Sequence, residues 1–222
     1  MFLWLVGCAH LYPGPVSALI DGPPAATPAA RGSHPGVPHG AELADPQQLT
    51  VAAARGFLGR SRLTVAGDTF RFDCSGLVEA SLAAAGIPQK GSTAMLFAEA
   101  RDQRVLHRRH TPQPGDVAFF DDTYDRDGDG RLDDALSHSA MVEAVAPDGT
   151  ITLIHIGSAG VVRFHMNLRH PEDARGPDGE PWNDALRAHK AADSRRTRYL
   201  AGELWVGFGS FWRVAPAVAS TR

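Results

Sequence analysis

After the loop Thr111-Pro-Gln-Pro-Gly-Asp116 the apolar period of this chain changes, and that change constrains its fold more than any other feature. Before the loop, apolar residues recur every three or four positions, the spacing of one helix face. After it they tend to alternate, the spacing of strands in a sheet. The stretch "PQQLTVAAARGFLG", beginning at Pro46, reads as a first helix with Asp45 as N-cap and Pro46 at its first position. In "RFDCSGLVEASLAAAGIP" (71–88), Leu77, Val78, Leu82 and Ala85 line one face of a second helix, Asp73 caps its start, Gly86 supplies a stop and Pro88 forbids continuation. "STAMLFAEAR" follows as a third, with Ser92 or Thr93 as its cap. Strands are expected over 116–120, 139–145, 150–157, 160–164 and 203–214, the second and third split by the turn "APDGT". Helices first and strands after indicate an α+β domain with an antiparallel sheet, not a doubly wound one. The polar, proline-containing stretch 169–198 reads as a long surface excursion.

At 222 residues the chain is long enough for one domain with a proper core and a tail. The folded part is expected to span 46–222. Ala9 to Asp45 is rich in Pro, Gly and Ala without a sustained apolar period, as in a disordered tether. Residues 1–7, "MFLWLVG", are too short an apolar run to cross a bilayer and lead directly into Cys8. Leu5-Val6-Gly7-Cys8 resembles a bacterial lipobox, which implies lipidation of Cys8 and a lipoprotein facing the periplasm, on the outer membrane given Ala9, or otherwise an exported protein. A net charge of -3, with no basic stripe interleaved with aromatics, argues against nucleic acid as a partner. The chain is expected to act as a monomer, touching membrane only through that anchor.

With Cys8 acylated, Cys74 has no partner for a disulfide, and an unpaired thiol in an exported protein points to reactivity. A cysteine is a nucleophile as its thiolate, which the N-terminus of a helix favours through unpaired N–H groups and the macrodipole. The same N–H groups can receive the oxyanion of a tetrahedral intermediate. The helix start Asp73-Cys74-Ser75, with the Cys74 backbone N–H, is therefore a candidate for both tasks. Asp73 opposes the thiolate electrostatically, so a nearby imidazole is needed. Of ten histidines, His10, His34 and His39 lie in the tether, His107 and His110 in a basic run, and His165, His170 and His189 in or near the excursion. His138 opens one expected strand and His155 lies inside the next, so the two can meet across an antiparallel ladder.

"FDCSGLVEASLAAAGI", "PQPGDVAFF", "SHSAMVEAV" and "TLIHI" together resemble the NlpC/P60 family of papain-like, cell-wall cysteine peptidases, over roughly residues 46–165. The resemblance implies a Cys-His-His triad: Cys74 as nucleophile, His138 as general base and acid, His155 as the residue orienting His138. It also implies hydrolysis of amide bonds in peptidoglycan stem peptides, commonly between D-glutamate and a diamino acid, with no cofactor. The related CHAP amidases share the fold and the Cys–His pair, which leaves an N-acetylmuramoyl-L-alanine amidase as an alternative. Transfer of the acyl group to an amine or lipid, and a non-catalytic cell-wall binding module, are others. A tyrosine that the family carries before its cysteine is missing from "GRSRLTVAGDTF" (59–70).

The insertion "DDTYDRDGDGRLDDALS" (121–137) places Asp125, Asp127, Asp129 and Asp133 at positions 1, 3, 5 and 9 of an EF-hand-like loop, but position 12 is Leu136 where a bidentate glutamate belongs. The expectation is a solvated acidic loop, with calcium binding at most weak. A zinc hydrolase built on His107 and His110 lacks the acidic residue of an HExxH arrangement.

Overall fold

A computed structural model describes residues 45–191 and 193–214; the expected lipobox, Cys8 and nearly all of the tether lie outside the described residues. Three helices precede most of the sheet, as expected. α1 (Pro46–Gly56) opens on Asp45, whose carboxylate accepts from the Gln47 N–H at 3.0 Å. α2 (Cys74–Ala84) is capped by Asp73 and α3 (Thr93–Asp102) by Ser92, whose Oγ accepts from the Met95 N–H. These are side-chain caps of the preferred residue types, so each start is specified locally. "GRSRLTVAGDTF" forms a hairpin that the period did not reveal: β1 (Leu63–Val65) and β2 (Asp68–Phe70) joined by Ala66 and Gly67, both with positive φ, the conformation of a tight two-residue turn.

The main sheet comprises β3 (Leu106–His107), β4 (Val117–Phe120), β5 (His138–Val145), β6 (Thr150–Gly157), β7 (Gly160–Asn167) and β8 (Trp205–Gly209). Its order is β3-β8-β4-β5-β6-β7 and every neighbouring pair is antiparallel. One face, carrying Val117, Phe119, Met141 and Ile154, packs on Leu77, Val78 and Leu82 of α2 and Leu96 of α3. The other, carrying Ala118, Phe120, Ala140, Val142 and Phe164, is covered by Leu168, Ala201 and Leu204. The sheet is thus buried on both sides.

Two readings of the C-terminal part are corrected. The stretch 203–214 is not one strand: α4 (Ala201–Leu204) precedes β8, and a 3₁₀ turn at Phe211–Arg213 follows it. The Glu203 carboxylate accepts from the Tyr199 and Leu200 N–H groups, and the Asn183 side chain accepts from Gly202, so the backbone winds before it extends. At the other end the Trp212 indole donates to Asp116 and turns the chain off the sheet. Nor is 169–198 wholly a surface excursion. Asn183 is buried: its amide donates to the carbonyls of His170 and Asp173 within the segment, and its Oδ1 accepts from the Asn167 N–H at 2.8 Å, pinning the segment to the end of β7.

Candidate active site

Cys74 is the first residue of α2 and half-buried. The Asp73 carboxylate accepts from the Gly76 N–H at 2.7 Å and from the Ser75 hydroxyl at 2.9 Å, while the Asp73 carbonyl accepts from Leu77. The cap therefore occupies the third and fourth N–H groups of the helix and leaves those of Cys74 and Ser75 as the donors nearest the sulfur. Gly76 has a steric task. A Cβ there would overlap the Arg71 carbonyl oxygen, part of the backbone that brings the chain into the helix. Gly76→Ala is expected to destabilise the fold by about 1–3 kcal/mol or more, as overpacking against rigid backbone does, read as a lowered urea midpoint. An unchanged midpoint contradicts this account of the glycine.

Arg71 ties the surrounding loops together. Its guanidinium donates to Glu79 on α2 at 2.7 Å and to the Gly91 carbonyl at 2.8 Å, and the Gly91 N–H donates to the same Glu79 carboxylate. Because Glu79 is buried, these charge-assisted bonds replace the water it loses. They hold the turn before α3 against α2 and bring Thr93, the first residue of α3, beside the thiol. Thr93 Oγ1 lies 3.7 Å from Cys74 Sγ and donates to Ser139 Oγ at 3.2 Å. The contact ends on the residue adjacent to His138.

His138 and His155 meet as their positions in the sequence suggested, with Nε2 of the first 2.9 Å from Nδ1 of the second and the rings nearly perpendicular. They meet diagonally: His138 is opposite Phe120 on β4, and β5 pairs with β6 from Met141–Ile154 onward. Phe120 and Phe164 flank the two rings, which places the imidazoles at the margin of the second core, on the sheet face opposite that of Met141. Thiol and imidazoles thus gather at the same end of β5 from its two sides.

Burial, reinforced by His155, pushes the His138 pKa down to about 3, and burial pushes His155 down to about 4 against the opposing pull of Asp184. The unfolded chain takes up these protons near the ordinary histidine value of 6.5, where the folded chain does not. Their contribution to stability is therefore fully present above about pH 6.5 and is lost as pH falls toward the folded values, by up to about 1.4 kcal/mol per pH unit for each imidazole. A thermal-unfolding series from pH 7 to 4.5 is expected to show a falling Tm, with a shallower fall in His138→Gln. A Tm independent of pH over that window contradicts it.

The acidic insertion is anchored next to His138, where the Thr123 N–H and hydroxyl bond the Ser137 hydroxyl at 2.9 and 2.8 Å. It presents exposed Tyr124, whose phenol pKa is raised, chiefly by the burial of its hydroxyl end. Of the four aspartates of the calcium reading, Asp125 and Asp127 converge, but with Asp134; Asp129 and Asp133 are outside that group. The loop carboxylates accept from the loop's own backbone, Asp125 from Gly128 and Gly130, and Asp129 from Arg131.

The remaining described histidines have other partners. His107 bonds Asp116, His110 packs edge-on to Trp205, His165 bonds Asp184, and His170 and His189 lie against Trp182 and Tyr199. His107 and His110 thus do not share a ligand set. A cleft lined by Asp45, Gln47, Arg55, Pro114 and Glu143 lies at the far end of β5 from His138, about 17 Å along the strand.

Residues 65–156 match the family model of the CHAP domain, a span that contains Cys74, Thr93, His138, Ser139 and His155. No curated protein matches the chain. A solved structure from Staphylococcus aureus, described as similar to a lipoprotein of the NLP/P60 family, is 19% identical with a TM-score of 0.35. The match covers 54% of this chain and 36% of that one, so the aligned part spans about a third of the neighbour's length.

Proposed function

We propose that this chain hydrolyses an amide bond of peptidoglycan stem peptides through Cys74, His138 and His155, a reading supported by the match of residues 65–156 to the family model of the CHAP domain. The observation that carries this reading is the bonded imidazole pair at the end of β5 where the helix-capping thiol also lies, all within the matched span. His138 uses Nε2 for His155, so Nδ1 is the nitrogen available to the thiol proton. With its Nε2–H donating to His155 Nδ1, the His138 ring is held in the tautomer whose Nδ1 is an acceptor. Cys74 Sγ attacks the amide carbonyl as its proton passes to His138, and the Cys74 and Ser75 N–H groups face the developing oxyanion. The His138 imidazolium then protonates the leaving amine, and water, deprotonated by the same ring, releases the acid and frees the thiol.

The bond we favour is that between D-glutamate and the diamino acid; the CHAP match favours an N-acetylmuramoyl-L-alanine amidase as the second reading. Mass spectrometry of sacculus fragments after incubation separates them. The first yields peptides truncated after D-glutamate, the second intact stem peptides and unsubstituted glycan, and fragments identical to those of a no-enzyme control reject both. The domain reading that accompanies this function is a Cys8 lipid anchor, a tether over 9–45 and a catalytic unit from Pro46 at the cell envelope. The intact mass of membrane-extracted protein, with and without Cys8→Ser, tests the anchor.

A further inference from the structure

Thr93 touches the reacting sulfur, yet the triad chemistry assigns it nothing. It is 5% exposed, and Ser139, to which it donates, is fully buried, so neither hydroxyl has bulk water to turn to. With Thr93 Oγ1–H directed at Ser139 Oγ, its own oxygen is free to accept, and the thiol S–H at 3.7 Å is the donor it faces. The resting chain runs from S–H to Thr93 to Ser139. When the thiol loses its proton, sulfur becomes an acceptor, and a hydroxyl can rotate to suit. Thr93 O–H then donates to the thiolate, and Ser139 O–H donates to the Thr93 oxygen it has vacated. The thiol proton itself goes to His138, and the S–H electron pair stays on sulfur. No proton leaves either hydroxyl.

We propose that Thr93 is a catalytic hydrogen-bond donor to the Cys74 thiolate, backed by Ser139 in a two-hydroxyl relay that reverses direction as the nucleophile ionises. The relay rests on the reading of Cys74 as the nucleophile, but not on which substrate it attacks. Its position is built by distant parts of the chain: the Arg71–Glu79–Gly91 bonds set the turn that delivers Thr93, and β5 supplies Ser139. A hydrogen bond to an ionised acceptor is stronger than one between neutral groups, and its loss here exposes a charge to an apolar methyl.

The test is alkylation of the full chain by iodoacetamide as a function of pH, with Cys74 resolved from Cys8 by peptide mass spectrometry. Thr93→Val keeps the shape and removes the hydroxyl. It is expected to slow Cys74 labelling near neutral pH by about tenfold, one unit of displacement toward alkaline pH in the profile. Thr93→Ser is expected to stay within about twofold of wild type, and Ser139→Ala to fall between the two. Thermal unfolding of each variant reports whether the fold survives, and Ser139→Ala supplies the comparison if Thr93→Val does not fold. A Thr93→Val profile that superimposes on wild type overturns the relay, as does an equal loss in Thr93→Ser, or a Ser139→Ala profile unchanged. The same variants on sacculi keep the two proposals separate. The alkylation series holding while wild-type protein releases no fragments rejects the substrate reading and leaves the relay. Fragment release with an unmoved alkylation profile does the reverse.

Discussion

Cys74→Ala is expected to abolish fragment release from sacculi, by at least about 10⁴-fold, while leaving the thermal-unfolding midpoint within about 2 °C of wild type. The size follows from the role: without a nucleophile there is no acyl-enzyme, and removing one member of such a constellation costs nearly as much as removing all of it. Retention of the fold follows from placement. Cys74 is half-buried at a helix start, outside the apolar clusters, and the cap bonds of the helix are made by Asp73, Ser75 and Gly76. The alanine also lacks the sulfur that Thr93 faces, a loss confined to one weak contact. Wild-type turnover by Cys74→Ala would remove the thiol mechanism altogether.

The second large effect is expected at the histidines, and their order is the informative part. His138→Ala is expected to be as inactive as the cysteine variant, because in the proposed mechanism His138 is the group that moves the proton. His155→Ala or His155→Asn is expected to retain more, by about 10- to 100-fold, because an orienting residue sets tautomer and geometry without itself transferring the proton. Asparagine also offers a carbonyl oxygen to the His138 Nε2–H. A larger loss in His155→Ala than in His138→Ala reverses the two roles, and full activity in both places the base elsewhere. His138 is packed at the margin of the second core, so its variants need unfolding curves alongside turnover.

The largest local signals in the sequence were also the most reliable guides. Asp45 with Pro46, Asp73 before Cys74 and Ser92 before Thr93 each start a helix, because an N-cap acts within three residues of itself. The alternation after Asp116 marked four of the five expected strands to within three residues at each end, and the turn between His138 and His155 was short enough to imply that they meet. Local readings failed where a distant partner decided the backbone. Residues 201–204 wind into a helical turn because Asn183 and the Glu203 carboxylate hold N–H groups that a strand would have directed at a neighbour. Asp129 and Asp133 carry the spacing of a metal loop, yet it is Asp134 that turns toward Asp125 and Asp127.

The sequence by itself determined where helices begin, that strands follow, and that a thiol stands at a helix mouth with a histidine opening a later strand. All of that depends on contacts within a few residues or on the period of apolar side chains. Only the tertiary structure decided that Thr93 lies against the thiol and Ser139 against Thr93, across separations of 19 and 46 residues, and that the imidazoles approach from the opposite face of the sheet. Such neighbours are set by strand register and by ion pairs between distant segments such as Arg71–Glu79. Register moves a whole set of side chains from one face to the other with a single-residue shift, so it leaves no mark in any short stretch of the chain.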